Sequence, residues 1–368
     1  NFEVIITHKE TKTYLEKKNI KNKIFQISKL SNYLSQLFEI DYFRDLLNKI
    51  KIDHPFYKFI KKNKYDLVIF LGPSQMSKFC KEIAFISNIW DLDHKKNSQF
   101  PEHNSNNVYE QKEKLLKEII TRAFRIIVPH QSNKKDLINF YKVDDTKIIV
   151  QNFIPMLPTI YEENRQDKKY YNNLFSNFKL PSNRIIIFYP AQFWAHKNHQ
   201  YIVDIASDFK KFNIKDIFFI FCGFDKGNLE IIKNKITKYQ LQDYIKIFNY
   251  LDDLELISLY LKCFGVIMPS FVGHTTIPMY EAFYFEKNIF YTKGLSDNKL
   301  QSFLTEIDIS DINSFKDRYY EIIKNKTEND QKLKDAKRFY DEYCNSKNTA
   351  ENFKKVFKEY KFYKKTWS

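Results

Sequence analysis

Glycine is scarce in this chain. There are six in 368 residues, none before Gly72. Glycine is favoured where backbone must turn with positive φ or press close to a ligand. The six survivors, Gly72, Gly223, Gly227, Gly265, Gly273 and Gly294, therefore mark where such demands fall, and five lie in the C-terminal half. Cysteine is sparse too. Cys80, Cys222, Cys263 and Cys344 are scattered with no metal-ligand spacing. That excludes a disulfide frame or a zinc site and fits reduced thiols in a cytoplasmic protein. No run approaches the roughly 20 apolar residues needed to span a bilayer. The first thirty residues carry charges throughout and do not read as a signal peptide.

What is abundant bounds the class. Hydrophobic residues make up 43% and aromatics 17%. The wealth of Lys, Asn, Ile, Phe and Tyr reads first as an AT-rich codon bias. The length predicts two domains. The net charge of +15 attracts polyanions. The basic residues are spread along the chain rather than gathered in one arm, which weakens a nucleic-acid reading. An anionic membrane face is the other candidate.

Short apolar runs at 2–6, 67–71, 83–90, 125–128 and 147–150 read as buried strands, with charged amphipathic helices at 109–124 and 133–141 between them. A polar, proline-marked stretch follows to residue 183 and predicts a hinge. Strands then recur at 184–189, 217–222, 244–248, 265–269 and 288–291. Helices are expected at about 197–211, 228–239, 253–262, 277–284 and 312–324, and again from about residue 330 onward. Alternating strands and helices imply an α/β fold with doubly wound parallel sheets. The expected organisation is an N-terminal Rossmann-like domain at 1–155, a hinge at 156–183, a C-terminal domain at 184–345, and a C-terminal helix at 346–368 packing back toward the first domain.

In such sheets ligands sit at the carboxyl ends of strands, and three strand-end loops carry chemistry. In Tyr189-Pro-Ala-Gln-Phe-Trp-Ala-His-Lys-Asn-His199, Lys197 is expected at a helix start. A cation is awkward there unless an anion is bound; a solvated lysine beside a packed Phe-Trp is the plainer alternative. In Met268-Pro-Ser-Phe-Val-Gly-His-Thr-Thr-Ile-Pro-Met-Tyr-Glu-Ala282, the free amides of Thr275, Thr276 and Ile277 would converge on one spot at a helix N-terminus. That suits a diphosphate, with Glu281 one turn in. A threonine cap with an ordinary helical glutamate is the plainer reading. In Phe221-Cys-Gly-Phe-Asp225, Gly223 permits a tight turn, and a simple left-handed turn accounts for it alone.

Together these motifs closely resemble glycosyltransferase family 4, the retaining enzymes of GT-B fold, in the branch whose first loop reads Tyr-Pro-Ala-Gln-Phe-Trp followed by His-Lys-Asn-His. The resemblance covers 184–302 firmly and the N-terminal half loosely. It implies two Rossmann-like domains facing across a cleft, with hinge motion near Phe153–Pro155. It implies a nucleotide-sugar donor, UDP- or GDP-linked, as substrate, with no metal and no further cofactor. Lys197 would contact the donor pyrophosphate. Gln192 replaces the usual arginine five residues earlier. Thr275, Thr276 and Ile277 match the loop whose amides hold the distal phosphate, His274 joins the donor-binding set, and Gly273 stands where the family's first glutamate usually touches the donor sugar. Glu281 matches the ribose-binding glutamate, and Asn249, Tyr250 and Leu251 the turn beside the base. Gly223 joins the donor-binding set.

In the N-terminal half, Trp90-Asp-Leu-Asp-His94 and Phe100-Pro-Glu102 follow a strand. Carboxylates and a histidine there suit acid–base work or hydroxyl binding. By the resemblance, His94 faces the donor sugar, while Asp91 and Glu102 bind or orient the acceptor. Asp91 and Asp93 as caps of the following turn are the alternative. Asp91-Leu-Asp93 could also hold a divalent ion through substrate phosphates, a minority reading. Residues 1–7 resemble the family's second strand with no glycine-rich loop before them, so either the sequence is truncated at its N-terminus or the loop is lacking. The expected activity is hexose transfer, with retention, to a hydroxyl of a glycan or lipid-linked acceptor in surface polysaccharide or lipopolysaccharide biosynthesis. The expected place is the cytoplasm or the inner face of the membrane. A nucleotide-sugar epimerase on the same fold and a basic nucleic-acid-binding protein are the alternatives.

Overall fold

The computed structural model describes residues 3–6, 12, 15–16, 18–25, 29–164, 166–181, 183–273 and 277–367. The chain folds as two compact units. One comprises residues 1–89 with 112–127, and the other residues 90–111 with 128–368.

The first unit carries two parallel pairings. Strand β1 (Val4–Ile6) pairs with β2 (Asn22–Ile24). Strands β3 (Leu67–Phe70), β4 (Ala84–Asn88) and β5 (Arg125–Val128) lie side by side in that order. His54 ties this unit together. Its Nδ1 accepts from the Phe56 amide at 3.1 Å and caps helix Pro55–Lys62. That leaves Nε2–H to donate to Ser35 Oγ at 2.7 Å. The ring stacks on Phe79 at 3.7 Å, and burial lowers its pKa to about 4, so it stays neutral.

The second unit holds strand β6 (Ile148–Val150) and a six-stranded parallel sheet. Its strands are β7 (Ile185–Pro190), β8 (Ile217–Cys222), β9 (Ile245–Phe248), β10 (Gly265–Met268), β11 (Asn288–Thr292) and β12 (Thr305–Ile307). Their spatial order is β12-β11-β10-β7-β8-β9. β8, β10 and β11 are buried along their whole length. Continuous apolar runs such as Ile-Phe-Phe-Ile-Phe-Cys are what a strand covered on both faces needs. Helix His199–Lys211 buries Tyr201, Ile202, Val203, Ile205, Ala206 and Phe209 on one stripe. Phe315, from helix Ile312–Lys324, meets Phe290 at 4.7 Å and Phe219 at 5.8 Å. Each such ring contributes roughly 1.5–3 kcal/mol by burial.

The order of strands has a functional consequence. From β7 the chain first builds outward through β8 and β9. It then returns to the other side of β7 for β10, β11 and β12. The crossovers therefore part between β7 and β10, and a crevice opens at their carboxyl ends.

Where a polar hinge was expected, the chain forms helices Met156–Asn164 and Lys168–Asn177, both packed on helix Asp253–Lys262. Tyr161 and Tyr171 meet at 5.5 Å, and Tyr171 is 2% exposed. Aromatic anchors spaced among polar residues give these helices their inner faces. Beyond them, helix Ser346–Trp367 is tied by Thr349 and Asn352 to Gln151 at 2.9 and 2.8 Å. All four cysteines are buried free thiols. Among the described residues no helix is long and apolar enough to cross a membrane.

Candidate functional site

The loops after β7 and β10 are knitted together at this switch point. The Phe271 amide donates to His196 O at 2.9 Å. Tyr189 Oη donates to Lys197 O at 2.7 Å and lies 3.3 Å from Ser270 Oγ. Tyr291 Oη donates to Gly273 O at 2.6 Å, and Thr292 Oγ1 to Ser270 O at 2.8 Å. Buried side chains of β7 and β11 thus hold both loops by their carbonyls.

Lys197 does not begin a helix. It closes a short 3₁₀ turn, Ala195–Lys197, and Asn198 follows in the left-handed region at φ 53°. Asparagine tolerates that conformation, and its side chain accepts from the Tyr201 amide at 3.3 Å to cap helix His199–Lys211. The kink throws the Lys197 side chain toward Gly273. A Cβ on Gly273 would lie 4.0 Å from Lys197 Nζ. Gly273 has φ +104°, so the loop here needs glycine rather than the glutamate of the resemblance. Burial lowers the Lys197 pKa, opposed by the charges of Asp93, Asp91 and Glu102 in that order. Lys197 is thus a half-buried ammonium with three carboxylates acting on it, next to the end of an apolar strand. Ile277, 43% exposed, opens helix Ile277–Tyr284 beside it. His274, Thr275 and Thr276 lie outside the described residues.

Glu281 is 7% exposed, and its Oε2 accepts from Tyr260 Oη at 2.7 Å. Burial raises the carboxyl to about 7, against the pull of the Tyr260 hydrogen bond and with a push from Asp253. Gly223 does not have positive φ, contrary to the simple left-handed turn. A Cβ there would sit 2.2 Å from Ala191 O and 2.8 Å from Gln192 Cα. Glycine is required because the backbone after β7 lies flat against it. Gln192 is exposed and accepts from Trp194 Nε1 at 3.1 Å. After β9, Leu251 is buried, while Asn249 and Tyr250 are exposed. Tyr250 faces Phe224 at 5.8 Å between ring centres. These two exposed rings at neighbouring strand ends offer flat faces to a base. Phe224 was not singled out in sequence, although it adjoins Gly223.

Residues 90–111 bring more groups to the second unit. Asp91 Oδ1 accepts from the Asp93 amide at 3.2 Å, as a turn cap does. Glu102 accepts from the His196 amide at 3.0 Å and also bonds His196 Nδ1. Burial alone would raise the Glu102 pKa, but the His196 amide and ring outweigh it and hold the carboxyl low. Burial and Lys197 lower His196 to about 4, so its ring is neutral and donates from Nδ1. His103 stacks on His196 at 5.9 Å. His94 is 1% exposed and turned edge-on to Tyr109 at 5.5 Å. The His103–Glu102–His196 group was not foreseen as a unit, since 94 residues separate Glu102 from His196.

Residues 171–338 match the family model of the glycosyl transferases, group 1. The architecture is that of GT-B glycosyltransferases. Anabaena Alr3699/HepE, in complex with UDP and glucose, superposes with a TM-score of 0.69 at 13% identity, over 97% of this chain and 91% of that one. A glycosyltransferase from Rickettsia africae ESF-5 does so with a TM-score of 0.68 at 18% identity, over 97% and 89%. WaaG, a glycosyltransferase involved in lipopolysaccharide biosynthesis, gives 0.60 at 9% identity, over 93% and 94%. At such identities the likeness is one of GT-B fold. No curated protein matches the chain significantly.

Proposed function

We propose that this chain is a retaining, metal-independent glycosyltransferase of family 4. It takes a hexose-type sugar from a UDP- or GDP-linked donor. It passes the sugar to a hydroxyl of a glycan or lipid-linked acceptor, in the assembly of a surface polysaccharide or lipopolysaccharide. The observation that carries this reading is the Lys197 ammonium against Gly273 at the β7/β10 switch point.

In this reading Lys197 and the amides around Ile277 bind the diphosphate. They stabilise it as the bond to the anomeric carbon breaks, where negative charge grows. Their fixed positive charge supplies what a divalent ion supplies in other transferases. The leaving phosphate takes the proton of the acceptor hydroxyl. Glu281 meets the ribose hydroxyls, and Tyr250 with Phe224 flanks the base. Asp91 and Asp93, whose charges act on Lys197, orient the acceptor hydroxyl in this reading. The reading assigns no reacting atom to His94, whose ring lies against Tyr109.

The test is a thermal-shift titration with UDP, GDP, CMP and ADP, each with and without EDTA, on wild type and Lys197→Ala. A ligand held only by the native state at a hundred times its Kd stabilises by about 2.7 kcal/mol. One diphosphate should stabilise wild type despite EDTA and fail on Lys197→Ala. If none stabilises wild type, the donor site is refuted; if stabilisation needs a divalent ion, metal independence is.

A further inference from the structure

The charge of +15 is not evenly laid over the sequence. Residues 354–365 hold six lysines and one glutamate, five of the fifteen net charges in one stretch of helix Ser346–Trp367. Lys354, Lys358, Lys361 and Lys365 recur at i, i+4, i+7 and i+11, which is one face of a helix. All four are exposed. The apolar stripe of the same helix points elsewhere, with Val356 and Tyr360 buried at 6% and 7% exposure. Beyond Tyr360, residues 361–366 are all exposed. Phe362, 65% exposed, lies on the flank of the lysine stripe between Lys355 and Lys358. Its ring meets the adjacent, exposed Tyr363 at 5.7 Å, and an exposed aromatic ring rimmed by flexible cations is costly in water.

We propose that this C-terminal helix face docks on an anionic lipid surface, with Phe362 at the headgroup–acyl boundary and the lysines on lipid phosphates. A bilayer suits the observations better than another protein. The cations form an open stripe, and Glu359 of the same stretch falls on another face of the helix, so they match a diffuse plane of negative charge. Long lysine stems let the ammonium groups reach headgroups while the ring sinks between them. The helix meets the surface without crossing it, in keeping with its alternating lysines. The inference does not depend on the sugar chemistry, so vesicle binding and nucleotide binding fail separately.

The test is flotation of the full chain with phosphatidylcholine vesicles, with and without phosphatidylglycerol, at low and high salt. Wild type should bind only the anionic vesicles and release at high salt. Each Lys→Gln change at 354, 358, 361 and 365 should weaken binding about fivefold, as expected for a lysine at an anionic surface. Phe362→Ser should weaken it further. These positions are exposed, so circular dichroism and nucleotide-induced stabilisation should be unchanged. Four exposed lysines elsewhere, Lys168, Lys169, Lys211 and Lys233, provide the matched control. An equal loss in that control would show that overall charge alone binds and would overturn the proposal. So would equal binding to neutral vesicles, or lysine-dependent binding of single-stranded RNA without vesicle binding.

Discussion

Glu281→Gln should make the protein more stable at pH 8 and nearly unchanged at pH 4.5. Burial raises the Glu281 carboxyl from an ordinary 4.5 to about 7. The folded state therefore keeps its proton over a range in which the unfolded chain has lost it. Stability is full below about pH 4.5, falls as pH rises toward 7, and levels off above. By proton linkage the loss is about 3 kcal/mol once the group is ionised. Glutamine cannot ionise, yet its amide oxygen can still accept from Tyr260 Oη. The variant should thus gain steadily on wild type between pH 5 and 8. For a domain of this size each kcal/mol is worth roughly 2–4 °C in Tm, so the gap at pH 8 should approach about 6–12 °C. Calorimetry of both proteins at pH 5, 6.5 and 8 reads it directly. Parallel curves would refute the claim that Glu281 is desolvated in the folded state. The same change should weaken nucleotide binding if the carboxylate meets ribose, so the gain in stability comes at the cost of function.

Gly223→Ala places a methyl against Ala191 O at 2.2 Å, where only backbone can give way. It should cost about 1–3 kcal/mol and loosen the Lys197 loop; an unchanged Tm would show that the two strand ends do not pack as described. Glu102→Ala removes the acceptor of the His196 amide, and a hydrogen bond to a charged group is worth about 1.5–3 kcal/mol. Stability by denaturant titration should fall by roughly that amount, with Glu102→Gln partly restored, and an unchanged stability would show that solvent satisfies that amide. A change confined to the KM for acceptor would instead place Glu102 at the acceptor. Asp252 and Glu255 form a reciprocal capping box on helix Asp253–Lys262. Asp252→Ala should cost about 1 kcal/mol, measured by denaturant titration, and no change would mean that solvent satisfies that helix end.

Much of the second unit was readable because its signals are local. Ile217–Cys222, Asp253–Lys262, Ile277–Tyr284 and Ile312–Lys324 lie at the bounds their apolar patterns predict. Strands Asn22–Ile24 and Thr305–Ile307 escaped notice because Asn-Lys-Ile and Thr-Glu-Ile have no strand pattern. Backbone pairing to β1 and β11 makes them strands. The two helices within 156–183 escaped notice because polar residues dominate there, and they depend on rings such as Tyr161 and Tyr171 finding partners.

The candidate site divides in the same way. Sequence alone determined the α/β alternation and picked out Lys197, Gly273 and Glu281, since a strand-end loop with a cation or a rare glycine is a local signal. Only the tertiary structure decided that β10 returns beside β7, which brings Lys197 to Gly273. It alone showed why Gly223 is glycine, set Phe224 against Tyr250, and joined Glu102 to His196. It also raised the Glu281 carboxyl by burying it, although the Tyr260 hydrogen bond pulls the other way. Residue types and spacing record what one segment can do. Burial, close backbone approach and charge proximity depend on which distant segments share a space, and that is set by sheet order and packing.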